Sequence, residues 1–247
     1  MNLIGPLRLA REISTLPKVE VRMWGDIEAQ KIFAYFVRPH PRYRIIEAKR
    51  WGIAMLRLPD SFQEYLEGGR MQTLRTNRKH ALDSGYRFGT FPIGTYREQA
   101  MKVNLSMSLR QGRPMASHYA EEDLFANLLP PEAQIFALLD KAGALSAYAY
   151  VPICGEVAVV HYLLGHADHL RHGVMYLLIS EVVRELIEQK RERGMPEWLM
   201  YDTFYGRGAG LYYFKRRLGF NSHIVRWKWE AHVSGTMKSP FLDDRCL

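Results

Sequence analysis

Four histidines stand close together in the second half of the sequence, at a spacing that suggests a metal site. His166, His169 and His172 follow one another at intervals of three residues, and His161 precedes them. Tetrahedral sites combine such histidines with cysteine or carboxylate ligands. Asp168 is the nearby carboxylate, and no nearby cysteine completes the set. We therefore expect no metal and interpret these histidines as lining the mouth of a site or capping a turn.

An aspartate and a group of tyrosines near the end of the sequence carry acid–base potential. Asp202 lies near the carboxyl end of a predicted strand, and such positions in α/β sheets often face a ligand crevice. Its carboxylate would orient or deprotonate an acceptor amine, or it would cap the turn that follows. Tyr205, Tyr212 and Tyr213 are candidate proton donors or packing residues. Of these, Tyr213 is taken as a catalytic candidate beside Asp202.

A third group of residues is basic. Arg75, Arg78 and Lys79 lie three and four residues apart within a predicted helix over residues 70–84. Side chains at that spacing share one face of a helix, and such a face can contact successive phosphates of a polyanion. A solvated surface helix has the same pattern. We predict that this helix contributes to binding of the donor.

Motifs for covalent nucleophilic catalysis are absent from the sequence. There is no Gly-x-Ser-x-Gly, no Walker loop and no Cys/His pairing suited to catalysis. The expected chemistry is therefore direct transfer without a covalent enzyme intermediate.

The elements that would position these residues are clearest in the second half. Apolar runs at residues 144–151 and 157–164 predict a hairpin. A long helix with an apolar face at 174–193, a strand at 198–204, a helix at 211–218 and a strand at 221–232 follow. The first half predicts a strand or hairpin at 43–58, a strand at 86–91, and helices at 27–37, 62–67, 70–84, 96–109 and 132–142. This order predicts a mixed α/β sheet with helices on its faces, including a crossover through the long helix.

The segment that ends in Phe220 resembles a known fold family. Residues 210–220 read Gly-Leu-Tyr-Tyr-Phe-Lys-Arg-Arg-Leu-Gly-Phe, which resembles the last helix and turn of the GNAT (N-acetyltransferase) superfamily. Lys215 with its preceding phenylalanine, followed by three residues and Gly219, is similar to the Fem family of peptidoglycan aminoacyltransferases. It is also similar to the leucyl/phenylalanyl-tRNA–protein transferases and to polysaccharide-linked acetyltransferases. The resemblance implies a GNAT-like acyltransferase fold, and it implies that Lys215 stabilises charge on the reacting ester where acetyl-CoA-dependent members commonly carry tyrosine.

A second motif supports the same group. Residues 74–86 read Leu-Arg-Thr-Asn-Arg-Lys-His-Ala-Leu-Asp-Ser-Gly-Tyr and resemble the basic helix near the start of the domain in these transferases. The resemblance covers roughly residues 70–92 and 143–230. We accordingly divide the chain into an N-terminal α+β region, residues 1–95, which includes the basic helix, and a GNAT-like transferase core, residues 96–247.

The turn before the long helix departs from the pattern of CoA-binding members. They carry Gln/Arg-x-x-Gly-x-Gly/Ala there, because small residues let backbone N–H groups approach the pyrophosphate. Residues 170–175 read Leu-Arg-His-Gly-Val-Met. Gly173 matches, whereas Met175 would occupy volume that the phosphates need. Arg171 and His172 can still hold a phosphate or a ribose, so we assign these two and Gly173 to donor binding. We expect no resident cofactor, and aminoacyl-tRNA or acyl-carrier protein as the donor in preference to CoA.

Composition limits the partners and the compartment. The 247 residues carry a formal net charge of +8 and a pI of about 9.5, which favours polyanions such as tRNA, although many basic proteins bind none. We expect no signal peptide, because the first residues are too short and too interrupted a run to form one, and we find no apolar run long enough to span a bilayer. The two cysteines lie far apart, which favours a reducing compartment. We expect a cytoplasmic protein without a transmembrane segment.

Three functions remain open from the sequence. The first is an acyltransferase with a thioester donor on CoA or a carrier protein. The second is an aminoacyltransferase with charged tRNA, which the basic charge and Lys215 favour. Both would use an amine acceptor of unknown identity. The third is a non-enzymatic nucleic-acid-binding protein, which needs aromatic and basic residues interleaved on one exposed surface.

Overall fold

The computed structural model describes residues 15–41, 44–110, 113–205 and 209–231. Its strands are β1 (Lys18–Met23), β2 (Ile53–Arg57), β3 (Arg87–Pro92), β4 (Leu109–Arg110), β5 (Arg113–Pro114), β6 (Gln134–Leu139), β7 (Leu145–Tyr150), β8 (Ile153–Cys154), β9 (Val157–Val159), β10 (Tyr162–Gly165), β11 (Trp198–Thr203) and β12 (Asn221–Trp229). Its α-helices are α1 (Ile27–Val37), α2 (Phe62–Leu66), α3 (Gln72–Asp83), α4 (Arg97–Leu105), α5 (Ser117–Ala120), α6 (Glu122–Leu128), α7 (Val174–Arg193) and α8 (Ala209–Arg217). A 3-10 turn, Ala167–His172, precedes α7. The end of the last predicted strand, at residue 232, lies outside the described residues.

The described strands of at least three residues, together with β8, form two sheets. The larger has the order β1-β12-β2-β11-β9-β8 and mixes parallel and antiparallel pairs. The smaller, β10-β7-β6-β3, is antiparallel throughout. The predicted mixed α/β class is therefore confirmed.

Helix α7 makes the predicted crossover. It leaves β9 by way of β10 and returns to β11, which pairs with β9 in parallel. Its buried face packs against one face of the larger sheet and against the smaller sheet, and consists of Val174, Leu177, Leu178, Val182, Val183, Leu186 and Ile187. Each such side chain contributes roughly 1.5–3 kcal/mol of burial free energy, so this helix holds the two sheets together.

The opposite face of the larger sheet is covered by α1. Asp26 caps this helix, because its carboxylate accepts from the backbone N–H groups of Glu28 and Ala29 at 3.0 Å each. Phe36 then packs against Trp227 of β12, with ring centroids 4.7 Å apart. The cap defines the start of α1 and the contact of Phe36 holds its end against the sheet, and together they position Glu28.

Strands from both predicted parts of the chain share the two sheets. β2 lies between β12 and β11 in the larger sheet, and β3 pairs with β6 in the smaller one. Helix α3, the predicted basic helix, packs against α7. The boundary predicted at residue 95 is thus not marked by a break in either sheet.

The predicted helix at residues 132–142 is wrong. The chain forms β6 there, between β3 and β7. Ile135, Phe136, Ala137 and Leu138 are buried in succession, which shows that both faces of the strand are covered. A continuous apolar run of this kind is equally consistent with a short buried helix and with a buried strand. Pairing with β3 and β7 makes it a strand.

The predicted hairpin at 144–164 is more divided than expected. β7 pairs with β10 in the smaller sheet, while β8 and β9, which lie between them in sequence, belong to the larger sheet. The segment at 43–58 also differs, since its regular strand is β2, Ile53–Arg57. The division between β9 and β10 has a direct consequence for the site.

Candidate active site

A cleft lies where the chain passes from β9 in the larger sheet to β10 in the smaller sheet. Val160 still follows β11, because its N–H donates to the carbonyl of Met200 at 2.9 Å. The next residue, His161, donates its N–H to Tyr150 of β7 at 3.0 Å instead. The chain therefore moves from one sheet to the other within a single residue. Beyond Met200, β11 is no longer paired with β9. The space between the diverging strands forms a cleft of about 1210 Å³.

Lys215 lies in the wall of this cleft. Its side chain is 1% exposed, and its Nζ donates to the carbonyl oxygen of Thr203 at 2.7 Å. The ammonium also lies 4.5 Å from the ring centroid of Tyr201, at the distance of a cation–π contact. Burial of a charge is costly unless hydrogen bonds and π faces compensate it. Lys215 therefore lies on the buried side of α8, and its ammonium group is next to the end of β11.

Asp202 lines the same cleft in an uncommon backbone conformation. The register between β11 and β2 shifts between Met200 and Thr203, and Asp202 sits in this irregularity with φ at +48°. Its carboxylate pairs with the Lys49 ammonium. Lys49 is held in turn by Trp227, whose indole N–H donates to the Lys49 carbonyl. A base at Asp202 would therefore act from within an ion pair.

An acidic and aromatic part of the cleft lies at the start of α1 and the end of β7. The Tyr150 hydroxyl donates to Oε2 of Glu28 at 2.5 Å. Burial raises the pKa of Tyr150, and the hydrogen bond and charge of Glu28 raise it further. His161 also lines the cleft, and burial lowers the pKa of its imidazole below the usual range. The surroundings of His161 therefore favour the neutral form of its imidazole.

A smaller apolar cavity of about 140 Å³ adjoins the cleft. The two share four lining residues: Met115, Leu163, Tyr201 and Leu211. Met175 from the first turn of α7 lines the small cavity, and its sulfur lies so near Gly165 that an added Cβ there would come within 2.5 Å. The side chain of Met175 is thus turned toward β10, next to a pocket suited to an apolar group.

The residues predicted to bind the donor at the start of α7 lie apart from the cleft lining. Arg171 and His172 are in the 3-10 turn, where Arg171 Nε lies 3.2 Å from His172 Nε2. Gly173 has φ at +77°, and a Cβ on it would lie 2.6 Å from the backbone oxygen of Asn77 in α3. Close approach of α3 and α7 is therefore one reason for glycine here. Binding of a donor at this turn stays a prediction.

The basic face of α3 is largely engaged within the protein. Arg75 donates to the carbonyls of Leu66 and Gly68. Arg78 donates to Glu181 of α7 at 2.7 Å. Lys79 is exposed. The three residues do lie on one helix as predicted, but the structure uses two of them to hold neighbouring elements. Their contact with a polyanion stays a prediction.

Tyr213 lies away from the cleft. Its side chain is 56% exposed, whereas its neighbour Tyr212 packs against Phe204 with ring centroids 5.4 Å apart. The structure therefore brings Lys215 and Asp202 to one cleft and leaves Tyr213 outside the residues that line it. A catalytic role for Tyr213 would require substrate to reach the outer face of α8.

Sequence reasoning missed several residues that line the cleft. Glu28, Lys49 and Tyr150 come from three separate elements, and nothing local marks them as neighbours of Lys215. The one feature of Glu28 visible in the sequence is its position in the first turn of a capped helix. An acidic residue there usually stabilises the helix dipole, so it does not indicate a site. Among the described residues, no three His, Cys, Asp or Glu side chains are grouped so as to hold a metal ion.

The chain is similar to known proteins in structure but not detectably in sequence. No protein-family model matches the chain, and no curated protein matches it significantly. FemX aligns over 70% of this chain and 59% of its own, at 10% identity and a TM-score of 0.53. L-PGS from Bacillus licheniformis aligns over 69% and 57%, at 15% identity and a TM-score of 0.47. A tandem GNAT protein from the clavulanic acid biosynthesis pathway aligns over 70% and 50%, at 14% identity and a TM-score of 0.42.

The aligned region is less than two thirds of the length of each of these three chains. At such low identity the likeness concerns the fold. None of the described helices has both the length and the apolar character needed to cross a bilayer. The chain has a mixed α/β fold that is similar to the fold of FemX.

Proposed function

We propose that this protein is a transferase that moves an activated acyl or aminoacyl group to an amine within the cleft beside Lys215. The observation that carries the proposal is the buried ammonium of Lys215, positioned at the end of β11 where β9 and β10 diverge. A buried positive charge beside an open cleft is suited to stabilise negative charge that develops on a substrate oxygen.

The reaction is a direct displacement. The nitrogen of a neutral acceptor amine attacks the carbonyl carbon of an ester or thioester, and the carbonyl oxygen becomes negative. Lys215 donates a hydrogen bond to that oxygen or to the departing oxygen. The bond from the carbonyl carbon to the leaving oxygen or sulfur then breaks, and the nitrogen loses a proton to a base. Asp202 would take that proton, or the imidazole of His161, which also lines the cleft, would take it. A leaving oxygen takes a proton from Lys215 and departs as an alcohol, whereas a leaving sulfur departs as a thiolate, and Lys215 regains its proton from the protonated base.

Two kinds of donor are compatible with this chemistry. An aminoacyl-tRNA ester fits the charge of +8 and the Lys215 motif. A thioester on CoA or a carrier protein is the second candidate, and the apolar cavity lined by Met175 and Phe214 would suit its acyl chain. Because Met175 stands where a small residue is usual in the first turn of α7, we expect CoA to bind with a Kd weaker than about 0.1 mM.

The test is a donor screen with purified protein. Bulk tRNA charged with radioactive amino acids, acetyl-CoA and an acylated carrier protein are each incubated with a mixture of primary amines, and the formation of amides is followed. We expect amide formation from charged tRNA, and RNase treatment should abolish it. If none of the three donors is consumed faster than in buffer, the proposal is wrong. Micromolar binding of CoA together with amide formation from acetyl-CoA would instead identify a CoA-dependent enzyme.

A further inference from the structure

Part of the cleft combines a carboxylate with several aromatic rings. We define this acidic–aromatic wall by four residues that line the cleft: Glu28, Tyr119, Tyr150 and His161. Tyr162 stands behind them and joins them. Its ring centroid lies 4.5 Å from that of His161, 5.8 Å from that of Tyr119 and 6.2 Å from that of Tyr150. The wall is therefore one connected surface and not a set of scattered side chains.

Glu28 gives this wall a negative charge at a fixed position. Its helix begins at the Asp26 cap, and the Tyr150 hydroxyl holds Oε2 at 2.5 Å. Behind the wall, the pKa of Cys154 is raised to about 12, mainly by burial and additionally by the charges of Glu28 and Asp26. A carboxylate oxygen has more than one lone pair, so Glu28 keeps acceptor capacity beyond its bond with Tyr150.

Two of the three described lysines that line the cleft belong to another part of it. The Lys49 ammonium pairs with Asp202, and that of Lys215 donates to the Thr203 carbonyl. Lys31 also lines the cleft and lies three residues beyond Glu28 on α1. The ammonium groups of Lys49 and Lys215 thus lie at the end of β11, whereas Lys31 is the cation on the same helix as Glu28.

We infer that the acidic–aromatic wall binds a protonated amine of the substrate and that Glu28 selects for it. A primary ammonium can donate to a carboxylate in a charge-assisted hydrogen bond while aromatic faces attract its charge. This inference rests on the proposed function only in placing a substrate in this cleft. The ammonium would come from one of two sources: the α-ammonium of an aminoacyl donor, or the amine of the acceptor before it loses its proton.

The test measures binding of small probes, without turnover. Alaninamide, leucinamide and phenylalaninamide carry an α-ammonium, and their N-acetylated counterparts are neutral. We expect the amides to bind the whole chain with Kd values at or below about 1 mM and the N-acetylated compounds to bind at least about tenfold more weakly. Glu28→Gln should weaken binding of the amides about tenfold or more, and Tyr150→Phe should weaken it by less. Nα-acetyl-lysinamide, which carries only a side-chain ammonium, tests the acceptor source in the same way.

A matched control removes the other charge on the same helix. Lys31→Gln should leave binding of the ammonium probes as strong as in the wild type or strengthen it, and thermal unfolding should show that each variant is folded. The inference is overturned if neutral probes bind as well as the amides, if Glu28→Gln binds them like the wild type, if Lys31→Gln weakens binding equally, or if no ammonium probe binds up to about 10 mM. Failure of the donor screen with these binding results intact would count against the transfer reaction alone.

Discussion

Asp202 adopts a backbone conformation that few residues tolerate. At φ of +48° it lies in the left-handed region, which costs an ordinary residue roughly 1–2 kcal/mol, while Asp and Asn tolerate it through local hydrogen bonds. The conformation follows the register shift in β11 and brings the carboxylate to Lys49. The strain and the ion pair together suggest that the orientation of Asp202 matters to the cleft.

Two substitutions separate the backbone conformation from the charge. Asp202→Asn removes the charge but keeps a side chain suited to positive φ, whereas Asp202→Ala removes both advantages. We therefore expect Asp202→Ala to be less stable than Asp202→Asn by about 1 kcal/mol in urea unfolding. Equal stability of the two variants would mean that the conformation at position 202 carries no strain.

The residues of the site differ in how far the sequence could predict them. Lys215 lies in the segment 210–220 that resembles a known motif, and Asp202 lies near the carboxyl end of a predicted strand, so local patterns indicated both. The structure places both at the cleft. Glu28 and Lys49 are far away in sequence, and they reach the cleft only because α1 and β12 pack together. Tyr213 was chosen by residue type, and helical geometry turns it outward.

The contact between α3 and α7 explains why Gly173, which was predicted to bind the donor, is a glycine. Gly173→Ala would place a methyl group 2.6 Å from the backbone oxygen of Asn77, in addition to the cost of positive φ. We expect a loss of about 2–4 kcal/mol in the free energy of unfolding. Gly194→Ala at the other end of α7 is the control, since Gly194 has a similar φ of +79° and no atom within 4 Å of the added Cβ. That variant should lose only about 1 kcal/mol, and equal losses would exclude steric contact as the cause.

The same pair of helices shares a buried carboxylate. Glu181 is 2% exposed and pairs with Arg78 of α3 and Arg184 of α7. Removing one partner of a buried charge is costly, so Arg78→Met should destabilise the protein by about 2–3 kcal/mol. Lys79→Met, at an exposed neighbouring position, should change the free energy of unfolding by less than about 0.5 kcal/mol. Chemical denaturation would measure both values, and a small effect of Arg78→Met would leave Arg78 available for an external anion.

Elements with helical periodicity were predicted better than buried strands. Helix α7 begins and ends where the sequence predicted, Val174–Arg193, because its apolar residues recur on one face and Gly194 ends it. β6 was mistaken for a helix because an apolar run covered on both faces has no period of its own. The separation of β9 from β10 also has no local signal, since it depends on which sheet each strand joins.

At the scale of the whole molecule, three histidines make the stability of the protein depend on pH. Burial lowers the pKa values of His161, His169 and His223 below the usual range. Below about pH 6.5 the unfolded chain therefore binds more protons than the folded protein. The free energy of unfolding is therefore not reduced by these histidines above that pH. It decreases as the pH falls through their pKa in the unfolded chain toward their lower pKa values in the folded protein.

Variants at two of these positions isolate the histidine contribution. His161→Gln and His223→Gln should each lose less stability than the wild type between about pH 7.5 and about pH 5.5, as measured by urea unfolding at both pH values. A wild-type loss no larger than that of the variants would mean that protonation of these imidazoles does not oppose folding.

Lys215→Met tests the central claim of a catalytic ammonium most directly. Methionine retains much of the buried stem, which alanine would replace with a cavity because Lys215 is 1% exposed. The rate of amide formation from bulk charged tRNA and primary amines should fall about 100-fold or more, while the thermal midpoint and tRNA binding stay close to the wild type. Arg216→Met, which removes the next and exposed charge of α8, should retain the wild-type rate. Full activity of folded Lys215→Met would contradict the account.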